Sequence, residues 1–281
     1  MPHLETPPLA PLEVGCMFWA GRDSIPEIAQ MGVRCGQLGI GGETVITPEF
    51  VERTMAELAA NGMQVITVVA AYTGEDYADM PTVQRTVGFI PYSTRLERLN
   101  RTLEIVDLAA KLGVPGIACH VGFVPHDKLD PDYMDVRDVV RKICDYAASH
   151  GQTFALETGQ EPALELLHFI HDVNRPNLKV NFDPANMILY GSGDPHDAVR
   201  VVASKIVSVH AKDGDWPPPR DANALGKERP LGKGSVNFPR FIQTLRDVGY
   251  QGQLLVEREA QDPVERIADM RAAIPFLRGL I

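Results

Sequence analysis

The chain has 281 residues, 44% of them hydrophobic and 23% charged, and a formal net charge of −10. That composition is ordinary for a globular protein and excludes a predominantly disordered one. The acidic balance, with no basic stripe, weighs against a protein built to hold nucleic acid or an anionic membrane surface.

The N-terminal stretch MPHLETPPLAPLEVG has neither the basic region nor the apolar core of a signal peptide. No apolar run approaches the roughly 18 residues needed to cross a bilayer. A cytoplasmic protein is expected, with residues 1–11 a flexible N-terminal segment. The four cysteines (Cys16, Cys35, Cys119 and Cys144) form no C-x-x-C pair and read as buried, reduced thiols.

Short β-rich runs alternate with longer stretches of helical periodicity. LEVGCMFW (12–19) comes first, then a short helix over 25–31 that Asp23 or Ser24 can cap. VRCGQLGI (33–40) follows, then Thr47-Pro48-Glu49, which places a capping residue, a proline at the first helical position and an acid in the first turn. That helix runs to Asn61-Gly62, a left-handed stop. MQVITVVA (63–70) precedes a long amphipathic helix over 93–112, and VPGIACHVG (114–122) precedes one over 131–150. QTFALET (152–158) and LKVNFD (178–183) precede helices over 161–173 and 195–204. KIVSVHAK (205–212) leads into a long irregular stretch, 214–237, and a helix over 238–248; GQLLVERE (252–259) and a helix over 263–278 close the chain.

Most of these β-runs are continuously apolar, as in strands covered on both faces. Eight of them alternating with eight helices predict an α/β protein with a parallel sheet, and the length suits a single (β/α)8 TIM barrel over 1–281. A doubly wound sheet would need a phosphate loop. GIGGET (39–44) has threonine where the last glycine of that fingerprint belongs, and GKG (232–234) does not match a P-loop. The stretch 214–237 is long enough to be an active-site lid or binding loop.

Catalytic groups of such barrels cluster where the strands end. The fifth run ends at Glu157, the sixth at Asp183, the seventh at His210 and the eighth at Glu257. Each of these residues taken alone can be a rim group in an ion pair. Together they put three carboxylates into one small volume, which is costly without a cation. One divalent metal ion is therefore expected. An oxygen-rich set with one imidazole suits Mn²⁺, Mg²⁺ or Co²⁺ better than a structural zinc cage, although Zn²⁺ can bind such donors.

The segments ALETGQE (155–161), VNFDPANMILYGSGDP (180–195), VHAKDGDWP (209–217), PLGKGSVNFP (230–239) and LLVEREA (254–260) closely resemble the sugar phosphate isomerase/epimerase family of the xylose-isomerase-like barrel superfamily. The resemblance covers nearly the whole chain and is densest from residue 114 onward. It implies that Glu157, Asp183, His210 and Glu257 bind the metal, Mn²⁺ first, and that Glu157 and Glu257 are also the catalytic acid/base pair. One glutamate would take the proton α to a metal-polarised carbonyl, leaving a metal-stabilised cis-enediolate, and the other would return a proton on the opposite face. The function implied is an isomerase, an epimerase of carbohydrate metabolism acting on a sugar, sugar acid or sugar phosphate, and often a dimer or tetramer.

Other residues can serve the same site. His120 ends the fourth strand and can bond substrate or a ligand; a structural histidine is the alternative. Trp19 can stack on a sugar face. Asn186 stands where many members of the family carry histidine, and can reach a substrate hydroxyl. Lys212 and Asp213 can orient ligands or touch substrate oxygens, with a salt bridge in the rim as the alternative. Arg220, Lys227, Arg229 and Lys233 can form a basic cluster over the acidic site, or simply a solvated loop. Competing functions are an inosose-dehydratase-like lyase on the same site, an abasic-site endonuclease, and a non-catalytic sugar-binding protein. The endonuclease would need extra histidines, which Asn186 and Asp213-Gly214-Asp215 do not supply.

Overall fold

The structure is a computed structural model that describes residues 12–221 and 223–281. The expected flexibility of 1–11 lies outside the described residues. Eight parallel strands close into a barrel: β1 (Glu13–Trp19), β2 (Cys35–Ile40), β3 (Gln64–Ala70), β4 (Gly116–Cys119), β5 (Thr153–Glu157), β6 (Leu178–Phe182), β7 (Ile206–Ala211) and, after a small hairpin, β10 (Gln253–Val256). Neighbours in sequence are neighbours around the wall, and β10 pairs with β1 to complete it. All eight β-runs read from the sequence are barrel strands, somewhat shortened; β4 is the most reduced, leaving His120 just beyond its end.

The helices begin where the sequence marks them. α2 (Pro48–Ala60), α5 (Pro131–Ser149), α7 (Pro184–Tyr190), α8 (Pro195–Val202) and α10 (Pro263–Arg278) each start at a proline behind a capping Thr or Asp. The cap oxygen accepts an early backbone N–H, and the proline has no N–H to leave unpaired. α1 (Ile25–Gln30), α4 (Tyr92–Lys111), α6 (Ala163–Val173) and α9 (Phe238–Asp247) complete the helices expected. Two helices were not anticipated: α3 (Met80–Thr86) and α7. The irregular stretch after β7 also contains a two-stranded hairpin, β8 (Asp213–Asp215) with β9 (Lys227–Arg229).

Alternation along each strand separates two apolar clusters. Cys16, Phe18, Leu38, Val68, Phe154, Leu156, Phe182 and Val209 face the helices and belong to the main core. Met17, Val69, Ala118 and Ala155 form a small cluster of their own, with Trp19 against it. All four cysteines are free and buried. Among the described residues, no helix is long and apolar enough to cross a membrane.

The loop between β3 and α4 is fixed from within. Arg98, 3% exposed, donates to the carbonyls of Thr86 (2.7 Å) and Gly88 (2.6 Å). Glu75 accepts from the N–H groups of Tyr72 (3.0 Å) and Gly88 (2.9 Å). Gly88 has φ +66°, and a Cβ there would lie 2.0 Å from the backbone of Val121. Gly88→Ala is expected to cost about 2–4 kcal/mol through positive φ and overlap. A denaturant midpoint unchanged from wild type would show that the loop moves freely to accommodate it.

Candidate functional site

Four consecutive barrel strands bring one donor each to the same rim. Glu157 is the last residue of β5. Asp183 follows β6 and caps α7, its Oδ1 accepting the N–H of Asn186 at 2.9 Å. His210 lies in β7, and Glu257 follows β10. One ligand atom of each lies within 4.8 Å of all the others, and all four residues are buried. His210 Nδ1 is 3.0 Å from a Glu257 oxygen, 3.3 Å from Glu157 and 3.5 Å from Asp183.

A divalent cation fits this geometry. Asp183 Oδ2, His210 Nδ1 and Glu257 Oε2 are buried with no hydrogen-bond partner. Buried polar atoms are rarely left unpaired, and carboxylates so close together repel one another. A cation at their centre satisfies all three atoms. Both oxygen and imidazole donors suit such an ion.

The imidazole is preset for this task. His210 Nε2 lies 2.6 Å from Gln37 Oε1 and 3.0 Å from Asn181 Nδ2, so it is held inside the barrel while Nδ1 is the nitrogen turned to the carboxylates. Gln37 is oriented in turn: its Nε2 donates to Asn181 Oδ1 (3.1 Å) and Ser208 Oγ (3.2 Å) inside the barrel. Gln37→Leu is expected to weaken Mn²⁺ binding roughly 10–100-fold, as losing such an outer support usually does. Calorimetric titration with Mn²⁺ checks this, and an unchanged affinity would remove Gln37 from the site.

The two glutamates have different neighbours. Glu157 Oε1 accepts from Asn186 Nδ2 at 3.1 Å and lies 3.3 Å from His120 Nε2. The Gln160 side-chain amide lies 3.0 Å from His120 Nδ1, so Nε2 is the nitrogen that the histidine turns to Glu157. Glu257 has instead the Lys212 ammonium at 3.3 Å. Burial pushes the Glu157 carboxyl up, but His120 and His210 outweigh it and hold the group well below the carboxylate range. Burial likewise raises Glu257, while His210 and Lys212 bring it down to about 2. Burial disfavours charge on His120, but Glu157 beside it lifts its pKa to about 9. Desolvation raises Asp183, partly offset by Lys212.

Above the quartet is a cavity of about 390 Å³. Of the three carboxylates in the quartet, Glu157 and Glu257 line it, while Asp183 is fully buried beneath. Trp19, His120, Asn186 and Lys212 line it as well. Asp213 and Arg220 do not. The Asp213 carboxylate is occupied by the backbone N–H groups of Gly214, Gly232, Gly234 and Val236, at 2.9–3.1 Å, and so ties the long loop to the end of β7. Arg220 is exposed on that loop. Lys227, Arg229 and Lys233 are also absent from the cavity wall, and Arg229 pairs with Asp215 at 2.6 Å. Of the two readings of these residues, a basic cluster over the site or a solvated loop, the lining of the cavity fits the second.

Sequence reasoning missed several residues here. Gln37 and Asn181 are polar, fully buried and inside the barrel, and a lone amide in an apolar strand was a signal for them. Glu75, Tyr77 and Tyr190 reach the cavity from loops and a helix outside the strand register. Glu228 and Glu259 line it too.

The molecule is a closed (β/α)8 barrel carrying at the C-terminal ends of its strands a buried Glu–Asp–His–Glu cluster that could hold a metal ion. The sequence profile described as "Xylose isomerase-like TIM barrel" matches residues 25–280, and the chain belongs to that family. A solved xylose isomerase domain protein from Planctomyces limnophilus is 39% identical, with a TM-score of 0.89 over 96% of this chain and 97% of that one. Escherichia coli L-ribulose-5-phosphate 3-epimerase UlaE is 28% identical over 142 residues, covering 48% of this chain and 47% of the relative. The chain thus spans about half the length of the curated relatives it matches. The E. coli 3-keto-D-glucoside 4-epimerase YcjR, 18% identical with a TM-score of 0.69 over 96% of this chain and all of that one, shares the fold.

Proposed function

We propose that this protein is a divalent-metal-dependent carbohydrate epimerase that moves a proton α to a carbonyl. The observation that carries this reading is the division of labour among the acids. Three unpartnered donor atoms converge on one point, yet only Glu157 and Glu257 among the quartet's carboxylates also face the cavity.

Glu157, Asp183, His210 and Glu257 would hold the ion, Mn²⁺ first among candidates. When bound, it would polarise the substrate carbonyl and steady the negative charge left after proton removal. Glu157 and Glu257 approach the cavity from β5 and β10, strands that are not neighbours in the wall. One accepts the α-proton and the other delivers a proton to the opposite face, which inverts that carbon. His120 holds Glu157 in place through its N–H, and Lys212 does the same for Glu257. Trp19, Tyr77 and Tyr190 supply flat apolar surface against which a sugar ring or chain packs and from which water is excluded. Curated relatives that the chain matches include L-ribulose-5-phosphate 3-epimerases, in accord with this chemistry.

The test is exchange in D₂O. The Mn²⁺-loaded protein is incubated with ketoses, keto-glycosides, sugar acids and inososes, and the C–H adjacent to each carbonyl is followed by NMR. Deuterium uptake with a new stereoisomer is the expected result. Uptake accompanied by loss of water would reassign the protein to a dehydratase. No uptake from any of them, with metal bound, would remove the proton-transfer reading.

A further inference from the structure

We infer that the cavity takes an uncharged polyhydroxy carbonyl compound and discriminates against the phosphate ester of the same sugar. This rests on the proton-transfer reading of the site and adds to it the class of substrate.

The wall is acidic. Five of the residues lining the cavity are glutamates: Glu75, Glu157, Glu228, Glu257 and Glu259. Among the described residues Lys212 is the only lysine or arginine lining it, and its ammonium is already committed. It lies 2.6 Å from Glu259 Oε2, 3.3 Å from Glu257 Oε2 and 3.8 Å from Asp183 Oδ2.

The acids stand where a barrel of this kind would hold a phosphate. That place is formed by the loops after the seventh and eighth strands and by the start of a nearby helix. Here the loop after β7 brings Glu228 to the cavity, and the loop after β10 brings Glu259. The arginine between Glu257 and Glu259 is unavailable: Arg258 is held by Glu228 (2.6 Å), Asp269 (2.8 Å) and Glu265 (3.1 Å). The neighbouring helix starts are filled by the chain's own carboxylates. Asp262 accepts the N–H groups of Val264 (2.7 Å) and Glu265 (3.1 Å) at the start of α10, and Asp183 caps α7.

A dianionic ester entering this wall would meet like charge with no uncommitted lysine or arginine among the described residues lining it to answer it. A neutral polyol meets acceptors for its hydroxyl hydrogens, and aromatic faces for its carbon chain. Glu259, with its side chain about half exposed (53%), is the acid best placed to meet the distal end of a substrate.

The experiment pairs each sugar with its own ester: L-ribulose with L-ribulose 5-phosphate, and D-fructose with D-fructose 6-phosphate. Affinity is measured by calorimetry on the Mn²⁺-loaded protein, and α-C–H exchange is followed in D₂O. The neutral member is expected to be preferred about a hundredfold or more, the range that uncompensated like charges produce. Glu259→Gln, which leaves Lys212 short of one carboxylate, is expected to narrow that preference at least about tenfold. Ester binding within tenfold of the neutral sugar would overturn the inference, as would binding of neither member or a preference unmoved in Glu259→Gln. The two readings fail separately. Neutral sugars that bind selectively without exchange would sink the proton transfer and leave the substrate class standing; exchange confined to the esters would do the reverse.

Discussion

Glu157→Gln and Glu257→Gln each lower the rate of epimer formation by about 10²–10⁴, the usual contribution of a positioned acid/base group. Glutamine keeps the shape of the side chain and an oxygen towards the metal, but cannot take a proton. The two variants do not fail identically. With one glutamate left, a proton can still be removed and returned on that glutamate's own face, so deuterium uptake survives for one epimer of the pair without inversion. The surviving epimer is expected to be opposite in the two variants, because Glu157 and Glu257 come to the cavity from different sides of the barrel. The measurement is uptake from each pure epimer at saturating Mn²⁺, with metal content determined on the same samples. Uptake surviving for the same epimer in both variants would dismiss the two-base arrangement. Inversion persisting in either would dismiss that residue as an acid/base group. Removing both is expected to cost little more than removing the more important one, since groups that act as a unit are not additive.

The barrel and its quartet were legible in the sequence for the same reason. In a (β/α)8 fold each strand is an apolar run and each rim position is the residue that ends it, so VNFD and VSVH announce both a strand and a donor. Cap–proline steps such as Thr47-Pro48 and Asp262-Pro263 fixed helix starts to the residue. The same signal preceded α7, as Asp183-Pro184, with the left-handed Gly191 as its stop. It was overlooked because a helix of 7 residues is too short to show an amphipathic period. What the sequence could not convey was the traffic between loops. Asp213 sits next to the site in sequence, but its carboxylate is taken by amides of residues 232, 234 and 236, about 20 positions away. Glu75 and Tyr77 lie in a loop whose path depends on Arg98 and Gly88, not on any strand register. Proximity in sequence left open whether the basic residues of the long loop cover the site, and folding placed Glu228 rather than any of them on the wall.

Metal removal is expected to lower the thermal midpoint, and Asp183 decides whether it can. A cation that binds only the folded chain adds about 2.7 kcal/mol when present at 100 times its dissociation constant, worth about 5–10 °C for a chain of this size. Chelation with EDTA should produce that drop in the wild type, and Mn²⁺ should restore it. Asp183→Asn separates the ion from the fold. Asparagine caps a helix as well as aspartate does, so the bond to the Asn186 N–H and the start of α7 are kept. The fully buried Oδ2, which has no hydrogen-bond partner, becomes an amide, and one of three crowded carboxylates is gone. The metal-free variant is therefore expected to melt no lower than the metal-free wild type, because less like charge is confined in the rim. It is also expected to show no rise with Mn²⁺. A variant that still gains several degrees from Mn²⁺ would mean that the ion binds elsewhere. One that melts well below the metal-free wild type would mean that the Asp183 carboxylate stabilises the metal-free fold through its neighbours His210 and Lys212, and that crowded like charge is not what the ion relieves.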